Sequence, residues 1–264
     1  MKLIMLILLQ FCCIQISTSQ DSQPASTTSE LWKNPVIIGA SVSDGYDHTE
    51  PFGGPKSEAL SLEVHLSKLL KVPHGKISNI GNKFFFIRPI GVHSKQVEVA
   101  AKIKPSIVLS PDYLFWLVYG NFTEEKSRID TLQSGLKKLE TFDCPVVIGN
   151  IPDASDAVHK MLSRSQVPQL KTIRQANTLL QEWAKNRKNI SIVDLDSFMK
   201  ASVSNETIKL KHIQFHKGST RKLLQSDSLH PTKEGVKAVC YAMLEALQKI
   251  TDFSDQDVDW KQTD

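Results

Sequence analysis

Apolar runs of strand length alternate with segments of helical period along most of this 264-residue chain. Five runs rich in Ile and Val predict strands over 35–39, 76–80, 106–110, 145–149 and 190–195. Most are apolar on both faces, as strands buried beneath two helical layers must be. Between them, apolar residues recurring every three or four positions predict helices over 57–71, 94–104, 123–141, 169–186 and 232–250. In the last, Val236, Val239, Cys240, Met243, Leu244 and Leu247 form one stripe, and Thr232 stands where a helix cap is needed. Such a β-α-β-α alternation implies a parallel sheet with helices on both faces, a three-layer α/β/α sandwich. Ligands of these folds bind beyond the carboxyl ends of the strands.

Two stretches break the alternation, 152–168 and 196–226. Insertions at the ligand edge commonly build a lid or a substrate wall. The second carries Lys209, Lys211, His212, His216, Lys217, Arg221 and Lys222. It reads either as an anion-attracting rim or as a solvated basic loop.

The ends differ from the middle. Lys2, an apolar core from Leu3 to Ile16 and the small Ser17 and Ser19 read as a signal peptide over 1–19. That run is too short to favour a stable membrane span, so the expected destination is secreted or periplasmic. Residues 20–30 are small and polar, a flexible leader. Residues 31–250 have room for one core and one domain. Residues 251–264 carry five aspartates without helical period and predict a loosely attached acidic tail.

The formal charge of +4 is mild, and no arginine-rich stripe points to a nucleic-acid partner. No Cys/His cluster has zinc-ligand spacing, so no metal is expected. Beyond the signal, Cys144 opens a strand and Cys240 lies in a helix; both read as small buried hydrophobes rather than a disulfide. Sequons at Asn121, Asn189 and Asn205 matter only in a glycosylating host.

Candidate chemistry collects at the two ends of the domain. Ser41 follows the first strand between Gly39 and Gly45, which let the backbone turn sharply and present a hydroxyl beside free N–H groups. Ser43 competes within the same turn. Asp227 and His230, three apart on the loop entering the last helix, allow a carboxylate to hold one imidazole nitrogen while the other faces a hydroxyl. Hydroxyl, imidazole and carboxylate are the three parts that nucleophilic acyl transfer requires. The apolar run Tyr113, Leu114, Phe115, Trp116 and Tyr119 reads as core or as the wall of an acyl or sugar pocket.

The segments VIIGASVSDGY, 36–46, and DSLHP, 227–231, resemble the first and last blocks of the SGNH (GDSL-like) hydrolases in type, order and position. The resemblance spans essentially all of the domain. It implies a flavodoxin-like parallel five-stranded sheet, with Ser41 as nucleophile, His230 as general base and Asp227 as its orienter. It further implies an oxyanion hole from the N–H groups of Ser41 and of Gly81, in ISNIGN, joined by the side chain of Asn121. The family's third block, Gly-x-Asn-Asp, is missing from its usual place, where the chain reads Ser110-Pro111-Asp112-Tyr113. Asp112 stands nearest the family's asparagine, but an ionised carboxylate would repel an oxyanion. The function so implied is an exported serine esterase that cleaves lipid, acetylated-carbohydrate or small-molecule esters through an acyl-enzyme, with no cofactor. The missing block favours an alternative, a non-catalytic glycan-binding protein of the same fold. A nucleotide binder ranks lower, because no Gly-rich phosphate loop follows the first strand.

Overall fold

The computed structural model describes residues 28–47, 49 and 60–261. The expected signal peptide, most of the leader and the last three residues of the acidic tail lie outside that set. The strands are β1 (Pro35–Ile37), β2 (Ser78–Asn79), β3 (Ile107–Ser110), β4 (Val146–Gly149) and β5 (Ile190–Val193). They form one parallel sheet in the order β2-β1-β3-β4-β5. In chain order the helices are α1 (Thr28–Leu31), α2 (Ser41–Asp44), α3 (Leu62–Leu69), α4 (Pro89–Ile103), α5 (Phe115–Val118), α6 (Glu125–Leu139), α7 (Leu170–Lys185), α8 (Leu195–Val203) and α9 (Lys233–Leu247). Among the described residues, no helix is long and apolar enough to cross a membrane.

Strand alternation divides the core in two. Val36, Ile38, Val108, Val146 and Ile148 face one layer, packed with Val97 of α4, Leu132 and Leu136 of α6, and Ile173 and Leu180 of α7. Ile37, Ile107, Leu109 and Val147 face the other, packed with Leu62 and Leu66 of α3 and the apolar stripe of α9. The expected α/β/α sandwich is thus the observed one. Thr232 caps α9, its Oγ1 accepting the Gly235 N–H at 3.4 Å. Helix α4 starts earlier than its apolar period suggests, because Pro89 at its first turn has no N–H to leave unsatisfied.

Two readings change. The segment 196–226 is not simply a loop. Helix α8 enters it, its first turn capped by the Asp194 carboxylate, which accepts the Ser197 N–H at 3.1 Å. A short antiparallel hairpin, β6 (Ile208–Lys209) with β7 (Gln214–Phe215), and a 3-10 turn, Thr220–Leu223, follow. The acidic tail is not loose over its described part. Phe253 and Val258 are buried, and the Phe253 ring lies 5.6 Å from that of Trp32. The Lys71 N–H donates to Asp257 O at 2.9 Å, and the Asp259 N–H to Leu69 O at 2.7 Å. Trp260 stacks on His212 at 4.0 Å. A hydrogen bond from Lys211, with others from Gln248 and His212, holds the Asp255 carboxyl down at about 2. The tail docks through single apolar side chains at irregular spacing, a pattern that periodicity cannot register.

From β1 the chain runs first to β2 on one side, then back to β3 on the other. The sheet order therefore reverses between β1 and β3, and a crevice opens there at the carboxyl edge. Ser41 leaves β1 and Asp112 leaves β3 at that edge.

Candidate active site

The turn after β1 is built around a glycine that no other residue can replace without strain. Gly39 has φ +148°, and a Cβ there would stand 2.2 Å from Ser43 Oγ and 2.3 Å from Asp112 Oδ1. Ser41 then begins the single-turn helix α2, which Gly45 ends in a left-handed conformation. Across the crevice, the loop before α9 turns through Ser228, a non-glycine residue at φ +63°. His230 Nε2 lies 2.9 Å from Ser41 Oγ, and His230 Nδ1 lies 2.6 Å from Asp227 Oδ2. The other Asp227 oxygen accepts the N–H groups of Leu229 at 2.9 Å and His230 at 3.0 Å. The Tyr46 ring covers the imidazole at 4.3 Å. All three members of the chain Ser41–His230–Asp227 are buried, with Ser41 the most accessible at 9 %.

Burial alone raises the Asp227 pKa, but the hydrogen bond and charge of His230, with the two N–H donors, outweigh it and hold the carboxyl below its usual value. A carboxyl whose folded pKa is depressed contributes stability above its unfolded pKa of ~3.9 and loses it as pH falls through the lower folded value. The melting-temperature gap between wild type and Asp227→Asn should accordingly be full at neutral pH and shrink below about pH 4. A gap that stays constant from neutral pH to about pH 2 would mean that shape, not charge, makes the contribution.

Asp112 lies beneath the turn that follows β1. Its buried carboxylate is turned onto the turn that carries Ser41, accepting the Ala40 N–H at 2.9 Å, the Val42 N–H at 2.7 Å and the Ser43 hydroxyl at 2.6 Å. Burial raises its pKa, while these same hydrogen bonds act in the opposite sense. Ser43 is fully buried in this arrangement and directed away from His230, so of the two serines only Ser41 meets the imidazole. Gln96 of α4 completes the brace. Its Oε1 accepts the Gly39 N–H at 3.1 Å, and its Nε2 donates to Gly39 O at 2.7 Å and Ile80 O at 2.9 Å. Sequence reading passed over Gln96. The available signal was an amide among His93, Val97 and Ala100 on the buried face of an amphipathic helix.

Two of the three expected oxyanion donors have partners of their own. The Gly81 N–H donates to Asn79 Oδ1 at 2.9 Å, and Gly81 packs beneath α2, where a Cβ would meet the Asp44 nitrogen at 2.9 Å. Asn121 is exposed, its Oδ1 accepting from Ser165 Oγ at 3.0 Å, and it lines neither cavity that opens on Ser41. The Ser41 N–H has no acceptor among the described residues, its neighbours' N–H groups being held by Asp112.

Ser41 stands between two cavities. A cleft of about 290 Å³ is walled by His230, Tyr46, Phe84, Phe86, Trp116 and Met161. A smaller cavity of about 60 Å³ is lined by Phe115, Phe198, Met199, Leu224 and Leu229. The aromatic run after β3 is thus both core and wall: Tyr113 and Tyr119 are fully buried, while Phe115 and Trp116 face the cavities. Helix α8, inside the segment expected to form a substrate wall, supplies Phe198 and Met199. Cys144 and Cys240 are both free thiols. Burial pushes Cys144 up to about 12 and raises Cys240 as well, so neither is a thiolate nucleophile at neutral pH.

No family model and no curated protein matches the sequence. Solved structures do match the fold. A lipase/acylhydrolase from Enterococcus faecalis is 16 % identical with a TM-score of 0.54, over 87 % of this chain and 100 % of the other. Axe2, an acetylxylan esterase from Geobacillus stearothermophilus, is 16 % identical with a TM-score of 0.54, over 88 % and 97 %. LAE5, an α/β hydrolase from the metagenome of Lake Arreo, Spain, is 16 % identical with a TM-score of 0.52, over 83 % and 96 %. The chain has the α/β/α fold of SGNH-type hydrolases.

Proposed function

We propose that this protein is an exported serine esterase that hydrolyses carboxylic esters through an acyl-enzyme. The observation that carries this reading is the unbroken path Ser41 Oγ–His230 Nε2, His230 Nδ1–Asp227 Oδ2, with its serine facing a cleft. His230 Nε2 takes the Ser41 proton as Oγ attacks the acyl carbonyl, and Asp227 fixes the tautomer and stabilises the imidazolium. Collapse of the tetrahedral adduct returns that proton to the departing alkoxide and leaves the acyl group on Ser41. Water, deprotonated by the same imidazole, attacks the acyl carbon, and the imidazolium returns that proton to Ser41 Oγ as the bond to the acid breaks. The Ser41 N–H, at the head of α2, is the donor left to meet the oxyanion. Each further donor would add about 10²–10³ in turnover, so a site with this one alone is expected to work slowly on simple esters.

The small apolar cavity beside Ser41 suits a short acyl group, and the aromatic cleft on its other side suits the alcohol part. Lipase/acylhydrolase and acetylxylan esterase chemistry in proteins of this fold supports an ester of a lipid or of an acetylated carbohydrate. Export rests on the signal read over residues 1–19.

A fluorophosphonate probe tests the reading directly, because it labels only a serine activated by its base. Labelling at Ser41 is expected, with slow release of acetate from aryl acetates. Absence of both labelling and turnover on a broad panel of esters would replace this reading by the glycan-binding one.

A further inference from the structure

The two segments that break the strand–helix alternation meet beside the catalytic loop. Lys160, from the connection 152–168, donates from Nζ to Ser228 Oγ at 2.6 Å. Arg221, from the 3-10 turn in the segment 196–226, donates from Nη2 to the same oxygen at 2.7 Å. Ser228 follows Asp227 directly and precedes His230 by two residues. A hydroxyl oxygen has lone pairs for both donors but neutralises neither charge. No carboxylate among the described residues forms an ion pair with Lys160 or Arg221. The other hydrogen bond of the Arg221 guanidinium is a long one, 3.5 Å, to Gln225 O. Two cations that reach one atom stand close enough to repel each other, and an anion between them would relieve that repulsion. Lys160 is exposed, and the next residue, Met161, forms part of the cleft wall shared by Ser41 and His230. The pair is therefore placed at the margin of that cleft. An ammonium and a guanidinium side by side match a group whose oxygens only accept hydrogen bonds and carry negative charge.

We propose that Lys160 and Arg221 form an anion subsite, so that the preferred esters carry a carboxylate, sulfate or phosphate group beyond the scissile bond. The assignment to substrate rests on the esterase reading above; the anion site itself does not. Two measurements keep them apart. Calorimetry with inorganic sulfate reads the site without turnover: wild type should bind sulfate saturably against a chloride background of equal ionic strength. Lys160→Met and Arg221→Met should each weaken that binding by roughly tenfold or more. Kinetics then compare a neutral aryl acetate with two carboxylate-bearing esters, one charged on the acyl side and one on the alcohol side. One charged ester should show the higher kcat/KM, and the ratio to the neutral ester should fall by about tenfold in the Lys160→Met protein. Lys160 is the safer substitution, since its exposed side chain leaves folding intact, and thermal melts check this for both variants. Sulfate binding that neither substitution weakens would overturn the site and leave the pair as a brace for the left-handed turn at Ser228. Weakened sulfate binding with an unmoved substrate ratio would overturn the assignment to substrate. Weakened sulfate binding with no ester hydrolysed at all would uphold the anion site and sink the esterase reading.

Discussion

Ester turnover by the Ser41→Ala protein is expected at the level of background, a loss of about 10⁴–10⁶-fold, with the fold intact. The substitution removes one oxygen whose partner is the His230 imidazole, 2.9 Å away, and leaves the braces of Gln96 and Asp112 in place. Ser43→Ala gives the contrast. That hydroxyl bonds Asp112 and the Ile38 carbonyl within the turn, so its loss should lower stability by about 1 kcal/mol and leave the order of magnitude of the rate unchanged. Steady-state kinetics on an aryl acetate, with melts of both variants, decide it. If the effects were exchanged between the two serines, the nucleophile would be misassigned.

Asp112→Asn is the second large effect, and its direction runs against the usual view of this change as mild. Every partner of the carboxylate is a donor: the backbone N–H groups of Ala40 and Val42 on its separate oxygens, the backbone N–H of Ser43 and the Ser43 hydroxyl. An amide keeps one acceptor and sets its NH₂ against the Ala40 or the Val42 N–H. A buried donor left without an acceptor costs about 1–3 kcal/mol. The turn that aims Ser41 would shift, and a displacement of about 1 Å at a reacting atom costs on the order of 10² in rate. A fall in both denaturation midpoint and kcat is expected. The opposite result, a stable and faster enzyme, would mean that the new amide swings to the oxyanion, the role of the asparagine in the family's third block.

The layers of the fold were legible because each central strand carries Val, Ile or Leu toward both faces, which only a doubly covered sheet permits. Ser41, Asp227 and His230 were legible because each stands at an end of an element whose topology fixes its edge. Helix α8 was not, since it spans nine residues and its short apolar stripe, Leu195, Phe198, Met199 and Val203, follows a strand with no intervening break. The brace around Ser41 was equally silent. Asp112 and Gln96 act on backbone groups some 57 to 72 residues away in sequence, and a backbone N–H leaves no mark in a string of side chains. The partners of Gly81 were hidden for a related reason. Gly81 was matched by type, whereas the direction of its N–H is decided by Asn79 two residues earlier.

The docking of Phe253 against Trp32 also bears on how the domain is assembled. One hydrophobic layer draws on residues 31–37 and again on residues 253–258, so it stays open until both stretches are present together. Contacts between such distant parts of a chain form late and slowly, because the loop entropy must be lost before they form. While residues 253–260 are still unmade, a nascent chain holding everything up to α9 has apolar surface of Trp32 and Leu70 uncovered. The layer beneath Trp32 is therefore completed only after the sheet and α9 have been made.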